Sequence, residues 1–168
     1  LEEYNIPGMK VLQQRIPDSD EGLPYLGDSD VVDKKSLFDE ASDDYFEETH
    51  PKDWEFSLAA YTGTHDSPTT KEWFDELNKS KYENFLDYSQ TLDNKFDNDV
   101  WNFISLVWES NCQLAITTVQ DLLELDSKAR FNIPGTSENN WIWRLDNFES
   151  LKGVTDSLNA LNHSTNRN

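Results

Sequence analysis

Three short apolar runs restrict the folds open to this chain more than any other feature. They are Gly8 to Gln13 (GMKVLQ), Leu58 to Thr62 (LAAYT) and Leu114 to Val119 (LAITTV), and each passes directly into polar residues. Runs this short, β-branched or bounded by turn signals such as Pro7-Gly8, read as buried strands. Helical patterning separates the second run from the third. Thr69-Thr70-Lys71-Glu72 fits a capping box, and Trp73, Phe74 and Leu77 fall on one face behind it, which predicts a helix over Thr69 to Lys79. The stripe Val100, Phe103, Ile104 and Val107 predicts a second helix over Asp99 to Glu109. After the third run, Gln120 to Leu123 opens a short helical turn. Leu151, Val154, Leu158 and Leu161 then mark one amphipathic helix between Phe148 and Leu161.

Alternation of this kind is α/β order, and strands joined by helical crossovers return to the sheet in parallel. Their carboxyl ends then share one edge. That edge carries Gln13, then Thr64-His65-Asp66, then Gln120-Asp121, and it is the edge where parallel α/β proteins keep their functional groups.

Between the first two strands lies a long acidic segment, Pro17 to Lys52, read as a loop with one modest helix around Lys34 to Phe46. It contributes to a formal net charge of -19, from 33 Asp and Glu against 14 Lys and Arg in 168 residues. Nucleic-acid affinity is built on cations that release counterions, so a nucleic-acid partner is excluded. Anionic membrane surfaces are disfavoured by the same sign, and no run of roughly 18 apolar residues exists to span a bilayer. Cys112 stands alone and neither a signal peptide nor an N-terminal Met is present, which favours a reducing, cytoplasmic setting and a chain that is a fragment of something longer. Asn78-Lys79-Ser80 and Asn162-His163-Ser164 match the glycosylation pattern and are read as plain surface residues.

Metal chemistry finds no support. The cluster Asp18, Asp20, Asp28, Asp30 and Asp33 fails as an EF-hand, because a loop opening at Asp28 has Asp33 where glycine is required. His50, His65, His163 and Cys112 lack zinc-ligand spacing. A Gly-x-Ser-x-Gly elbow for a Ser-His-Asp hydrolase is absent. The 12% aromatic content, with six Trp in so acidic a chain, hints at sugar recognition, since rings stack on pyranose faces while carboxylates and amides take hydroxyl hydrogens. Trp101 and Trp108 are read as core.

Four blocks then combine: IPGMKVLQ (Ile6 to Gln13), YTGTHDSPTT (Tyr61 to Thr70), VQDLLELDSKARFNIPGT (Val119 to Thr136) and NWIWRL (Asn140 to Leu145). In this order they resemble the carboxyl-terminal part of the 4-α-glucanotransferases, the amylomaltases or disproportionating enzymes. The resemblance implies the last three β/α units of a (β/α)₈ barrel, a fold that needs about 250 residues when complete. It implies transfer of α-1,4-glucan segments between maltooligosaccharides with retention, through a covalent glycosyl-enzyme intermediate and without cofactor or metal. Of the three carboxylates such an enzyme uses, the nucleophile and the acid/base would precede Leu1. The third, which stabilises the transition state, would be Asp66, with His65 beside it donating to a sugar hydroxyl. Gln13, Asn132, Pro134 and Gly135 would line or shape the substrate cleft, and Gly63 would let the backbone pass close to substrate.

Blander readings stand beside these. Asp66 suits an Asx turn ahead of a helix, and Ile133-Pro134-Gly135-Thr136 is an ordinary turn. Trp141, Trp143 and Arg144 are read as anchors of their loop rather than as substrate contacts. The chain departs from the family pattern at Ser67-Pro68, where Asn-Asp is usual, at Gln14, where an aromatic is usual, and at Glu124, where glycine is common. A catalytically inert glucan-binding or structural fragment is the alternative reading.

Overall fold

In the computed structural model of the chain, residues 6–18 and 50–167 are described. The three apolar runs form a parallel sheet in sequence order, β1 (Met9–Val11), β2 (Ala59–Tyr61) and β3 (Leu114–Ile116). The third strand stops short of Val119 because Thr118 changes role. Its hydroxyl accepts from the Asp121 backbone N–H and caps the next helix. The helix expected around Lys34 to Phe46, and with it most of the acidic segment, lies outside the described residues.

Among the described residues there are five α-helices, α1 (Thr70–Asp75), α2 (Lys79–Gln90), α3 (Asp99–Trp108), α4 (Val119–Leu122) and α5 (Glu149–Ser164), and all but α2 are expected from the patterning. The capping box at Thr69 and Glu72 forms in both directions. The single helix expected over Thr69 to Lys79 is a correction. It ends at Asp75, and the Asn78 side chain accepts from Lys81 N at 2.8 Å to start α2, so a good N-cap residue interrupts what periodicity would have continued.

Register decides which sheet face meets the helices. Lys10, Ala60 and Ala115 pair laterally and share one face, while Met9, Ala59 and Leu114, with Val11, Tyr61 and Ile116, share the other. Ala60 and Ala115 pack into the core built around α3, whose residues Val100 to Trp108 are all buried. Two small side chains on the sheet let this apolar helix approach closely. The second face is apolar as well, yet Met9, Leu114 and Ile116 on it are exposed. At the far end of α3 the Arg167 guanidinium donates to the carbonyls of Trp108, Ser110 and Cys112 at 2.6, 2.7 and 2.9 Å, taking up acceptors that a helix terminus leaves unpaired. Cys112 itself is buried, which raises its thiol pKa.

Candidate functional site

The strand carboxyl ends converge as parallel order requires. From β2 the chain runs through Thr62 and Gly63 into a tight turn in which Ser67 N donates to Thr64 O and Thr64 N to Ser67 Oγ, both close to 3 Å. Asp66 sits at its tip. Its side chain is 49% exposed and that of His65 is 55% exposed. Asn132 Nδ2 donates to Asp66 Oδ1 at 2.6 Å, and His65 Nε2 lies 3.2 Å from Oδ2. One carboxylate is thus oriented from both oxygens while half of it stays open to solvent.

Gln13 is placed differently from a substrate contact. It is buried, and its amide donates to the Pro68 carbonyl at 3.1 Å, propping the Asp66 turn from below. Gly63 serves the same prop: an added Cβ would come within 3.1 Å of Gln13 Nε2 and of Ser67 Cβ, so the close approach it permits is to the protein's own side chains. Ser67 and Pro68, departures from the usual pattern, both supply turn-closing acceptors.

Pro134 and Gly135 shape a turn closed by Thr136 N donating to Ile133 O at 3.2 Å. Gly135 has φ +81°, the value a type II turn needs at its third residue, with Pro at the second. Both are exposed at the tip; it is the Asn132 side chain that reaches the Asp66 carboxylate. The Asn140 side chain closes the loop by accepting from Ile133 N and donating to Thr136 O.

Three supporting groups were not legible as such. Arg130 donates from Nε to Asn132 O (3.0 Å), from one terminal nitrogen to Glu72 Oε1 (3.2 Å) and from the other to the backbone carbonyl of Asp66 (3.2 Å). Glu72 spends its second oxygen on the Thr69 N–H of the capping box. Asp121, 2% exposed, accepts from Thr62 Oγ1 and from Thr70 N at 2.7 Å each, tying the end of β2 to the first turn of α1 and to α4. The sequence signals for these were the capping box, which located Glu72 but not its partner, and the strand-end position of Asp121, which gave its edge of the sheet but not its partners. A cleft of about 280 Å³ opens among Thr64, His65, Thr118, Gln120, Arg130 and Trp143. A larger depression of about 530 Å³, lined by Phe56, Trp108, Leu114 and Arg167, lies at the opposite end of β3, away from every candidate residue.

A parallel α/β unit with a half-open carboxylate on a strand-end turn, braced by a loop more than sixty residues on, belongs to the class of folds that carry their chemistry at the carboxyl ends of the strands. Residues 1–150 match the family model described as 4-alpha-glucanotransferase, and the chain belongs to that family. A 4-alpha-glucanotransferase of Synechocystis sp. is 35% identical over 144 residues, 85% of this chain and 23% of the relative. The chloroplastic/amyloplastic enzyme of Arabidopsis thaliana is 33% identical over 114 residues, 66% of this chain and 19% of the relative. The chain therefore spans about a quarter or less of the curated relatives it matches first. In structure it is similar to an amylomaltase from Streptococcus agalactiae in complex with acarbose, with TM-score 0.70 and 23% identity across 99% of this chain and 28% of that one, a likeness of fold.

Among the described residues no helix is long and apolar enough to cross a membrane.

Proposed function

We propose that residues 1–168 form the carboxyl-terminal part of a single (β/α)₈ catalytic domain, with an acidic insertion at about 17–52, that transfers α-1,4-glucan segments between maltooligosaccharides with retention. The apolar character of the sheet's second face supports the barrel: parallel strands are normally covered on both faces, and Met9, Leu114 and Ile116 would face the barrel interior. In a retaining transfer the donor's glycosidic C–O bond breaks as an acid protonates the leaving oxygen and a carboxylate bonds to the anomeric carbon. The 4-hydroxyl of the acceptor glucan then displaces that carboxylate and gives its proton back to the base. Both of those residues are assigned to polypeptide upstream of Leu1.

This chain supplies Asp66. As positive charge develops on the sugar ring, hydrogen bonds from its hydroxyls to an oriented carboxylate strengthen and contribute several kcal/mol. The observation that carries the reading is the geometry of Asp66: Asn132 and His65 fix both oxygens at 2.6 and 3.2 Å, and the remaining lone pairs are open at the tip of a parallel strand. His65 and Asn132 are its partners, Pro134 and Gly135 shape the cleft wall, and Gln13 supports the turn. The expected substrates are α-glucans, with no cofactor.

The test is glucose release from maltotriose by the full-length polypeptide carrying this chain. Asp66→Asn should lower kcat by about 10³-fold or more, in the range of losing one transition-state contact, with unchanged circular dichroism and melting temperature. An active Asp66→Asn enzyme refutes the assignment. An inactive wild-type polypeptide that still binds maltooligosaccharides supports a non-catalytic glucan-binding role instead.

A further inference from the structure

Trp141, expected to be an anchor of its loop, does tie into that loop through its backbone, yet much of its side chain stays open. Its residue is 52% exposed, and Ile142 beside it is 66% exposed. A single exposed apolar side chain needs no explanation. Trp141 combines exposure with two further observations. Its backbone has φ +64°, a left-handed conformation that bulky L-residues avoid, two residues after Asn139 at φ +60°. The loop nevertheless holds it there: Trp141 N donates to Phe131 O at 2.8 Å, and the Trp141 carbonyl accepts from Arg144 at 2.9 Å. The indole so held lies beside the acidic tip, 5.1 Å from the His65 ring at an interplanar angle of 38°, with the Phe131 ring meeting it edge to face at 4.7 Å.

Packing on Phe131 and His65 covers only about half of Trp141, a modest return for a strained backbone. The arrangement makes sense if the ring has a partner that comes and goes. A pyranose offers one: its C–H face packs on an indole while its hydroxyls reach acceptors at the edge. The acceptors are in place, since His65 links the indole directly to the Asp66 carboxylate. Resting on the proposed glucan-transfer function, we infer that Trp141 is a stacking platform for a glucosyl unit of the α-glucan bound at Asp66, and that Phe131 and His65 set the tilt of that platform. The ring orients a sugar; it takes no part in bond making or breaking.

The experiment compares Trp141→Gly, Trp141→Phe and wild type by calorimetric titration with maltooligosaccharides, by melting temperature, and by kinetics in the full-length polypeptide. Glycine suits φ +64° without strain, so it separates the two roles. A platform predicts that Trp141→Gly melts at or above the wild-type temperature, binds maltooligosaccharides up to about tenfold more weakly, and raises KM by a similar factor. Trp141→Phe should recover part of the affinity. An anchor predicts the opposite pattern, a lower melting temperature with unchanged affinity in the material that remains folded, and that result overturns the proposal. Normal activity with unchanged KM in Trp141→Gly overturns it while leaving the transfer reading intact. Failure of wild type both to bind and to transfer glucan overturns the transfer reading and this inference with it.

Discussion

Replacing Arg130 by methionine keeps an apolar stem of similar length and removes every donor, which makes it a direct probe of how the Asp66 turn is held. Three hydrogen bonds are lost. Two of their acceptors, the carbonyls of Asp66 and Asn132, lie at the open edge of the site and are resolvated by water. The third is different: the side chains of Arg130 and Glu72 are 18% and 11% exposed, so Glu72 is left as a mostly buried carboxylate without its cation. Breaking a fully buried pair costs about 3–5 kcal/mol, and the residual water access here lowers this to about 2–3 kcal/mol. At about 2–4 °C per kcal/mol for a chain of this size, the melting temperature should fall by roughly 4–12 °C. Urea denaturation of Arg130→Met, Glu72→Gln and the double variant should give a coupling of about 1–2 kcal/mol. Arg130→Lys should fall between, because an ammonium can serve Glu72 or the carbonyls but not the whole fork. In the full-length polypeptide the same substitution should lower kcat by about 10²-fold, the effect of a misplacement near 1 Å, with KM changed by less than about 3-fold. A stability loss below about 0.5 kcal/mol together with additive double-variant behaviour would refute the claim that this pair braces the site.

Substitutions at two further positions test local physics. Glu124 occupies φ +53°, a left-handed conformation that glycine adopts without strain, and its carboxylate accepts from Asn98, the N-cap residue of α3, at 2.8 Å. Glu124→Gly relieves about 1 kcal/mol of strain and loses a bond worth about the same, so its urea midpoint should stay near wild type, whereas Glu124→Ala keeps the strain and should lose about 1–2 kcal/mol; equal midpoints for the two variants would sink this account. His50 caps the short turn Pro51–Asp53 by accepting from Lys52 N at Nδ1, and its Nε2 contacts Thr91 Oγ1, whose own proton goes to Tyr88 O. The imidazole must therefore be neutral, and burial lowers its pKa, opposed by nearby Asp53. A lowered folded-state pKa gives stability that is present above the unfolded value of about 6.5 and lost as pH falls through the folded value. Wild type should lose stability more steeply than His50→Asn on acidification from pH 7, and parallel pH profiles would contradict this.

What the sequence made legible, and what it hid, divides along the range of the interaction. Strands β1 to β3, the capping box at Thr69 and the stripe of α3 rest on periodicity and on contacts within a turn, and each was found within a few residues. The helix α2 was missed because its apolar side is thin: Phe85 is its one buried large side chain, and Tyr82 and Leu86 are only partly covered. Its start also depends on a single cap, Asn78, inside a stretch that looked continuous. Gln13 was placed at the correct edge of the sheet, but alternation cannot say whether a strand-end amide points into the cleft or under a neighbouring turn, and here it points under.

The long-range ties could not be read from pattern at all. Arg130 meets Glu72 across 58 residues and Asp66 across 64, and Asp121 meets Thr62 across 59. These ties explain how a turn as exposed as the one bearing Asp66 can hold a defined geometry. Its backbone is fixed by Arg130 on one side and propped by Gln13 on another, while buried Asp121 secures the elements on which it stands, so that beyond Asn132 and His65 half of the carboxylate stays open. The proposed role of Asp66 calls for this division of labour: Asn132 and His65 take one lone pair on each oxygen, and a further side chain laid over the open half of the carboxylate would occupy the place proposed for the sugar.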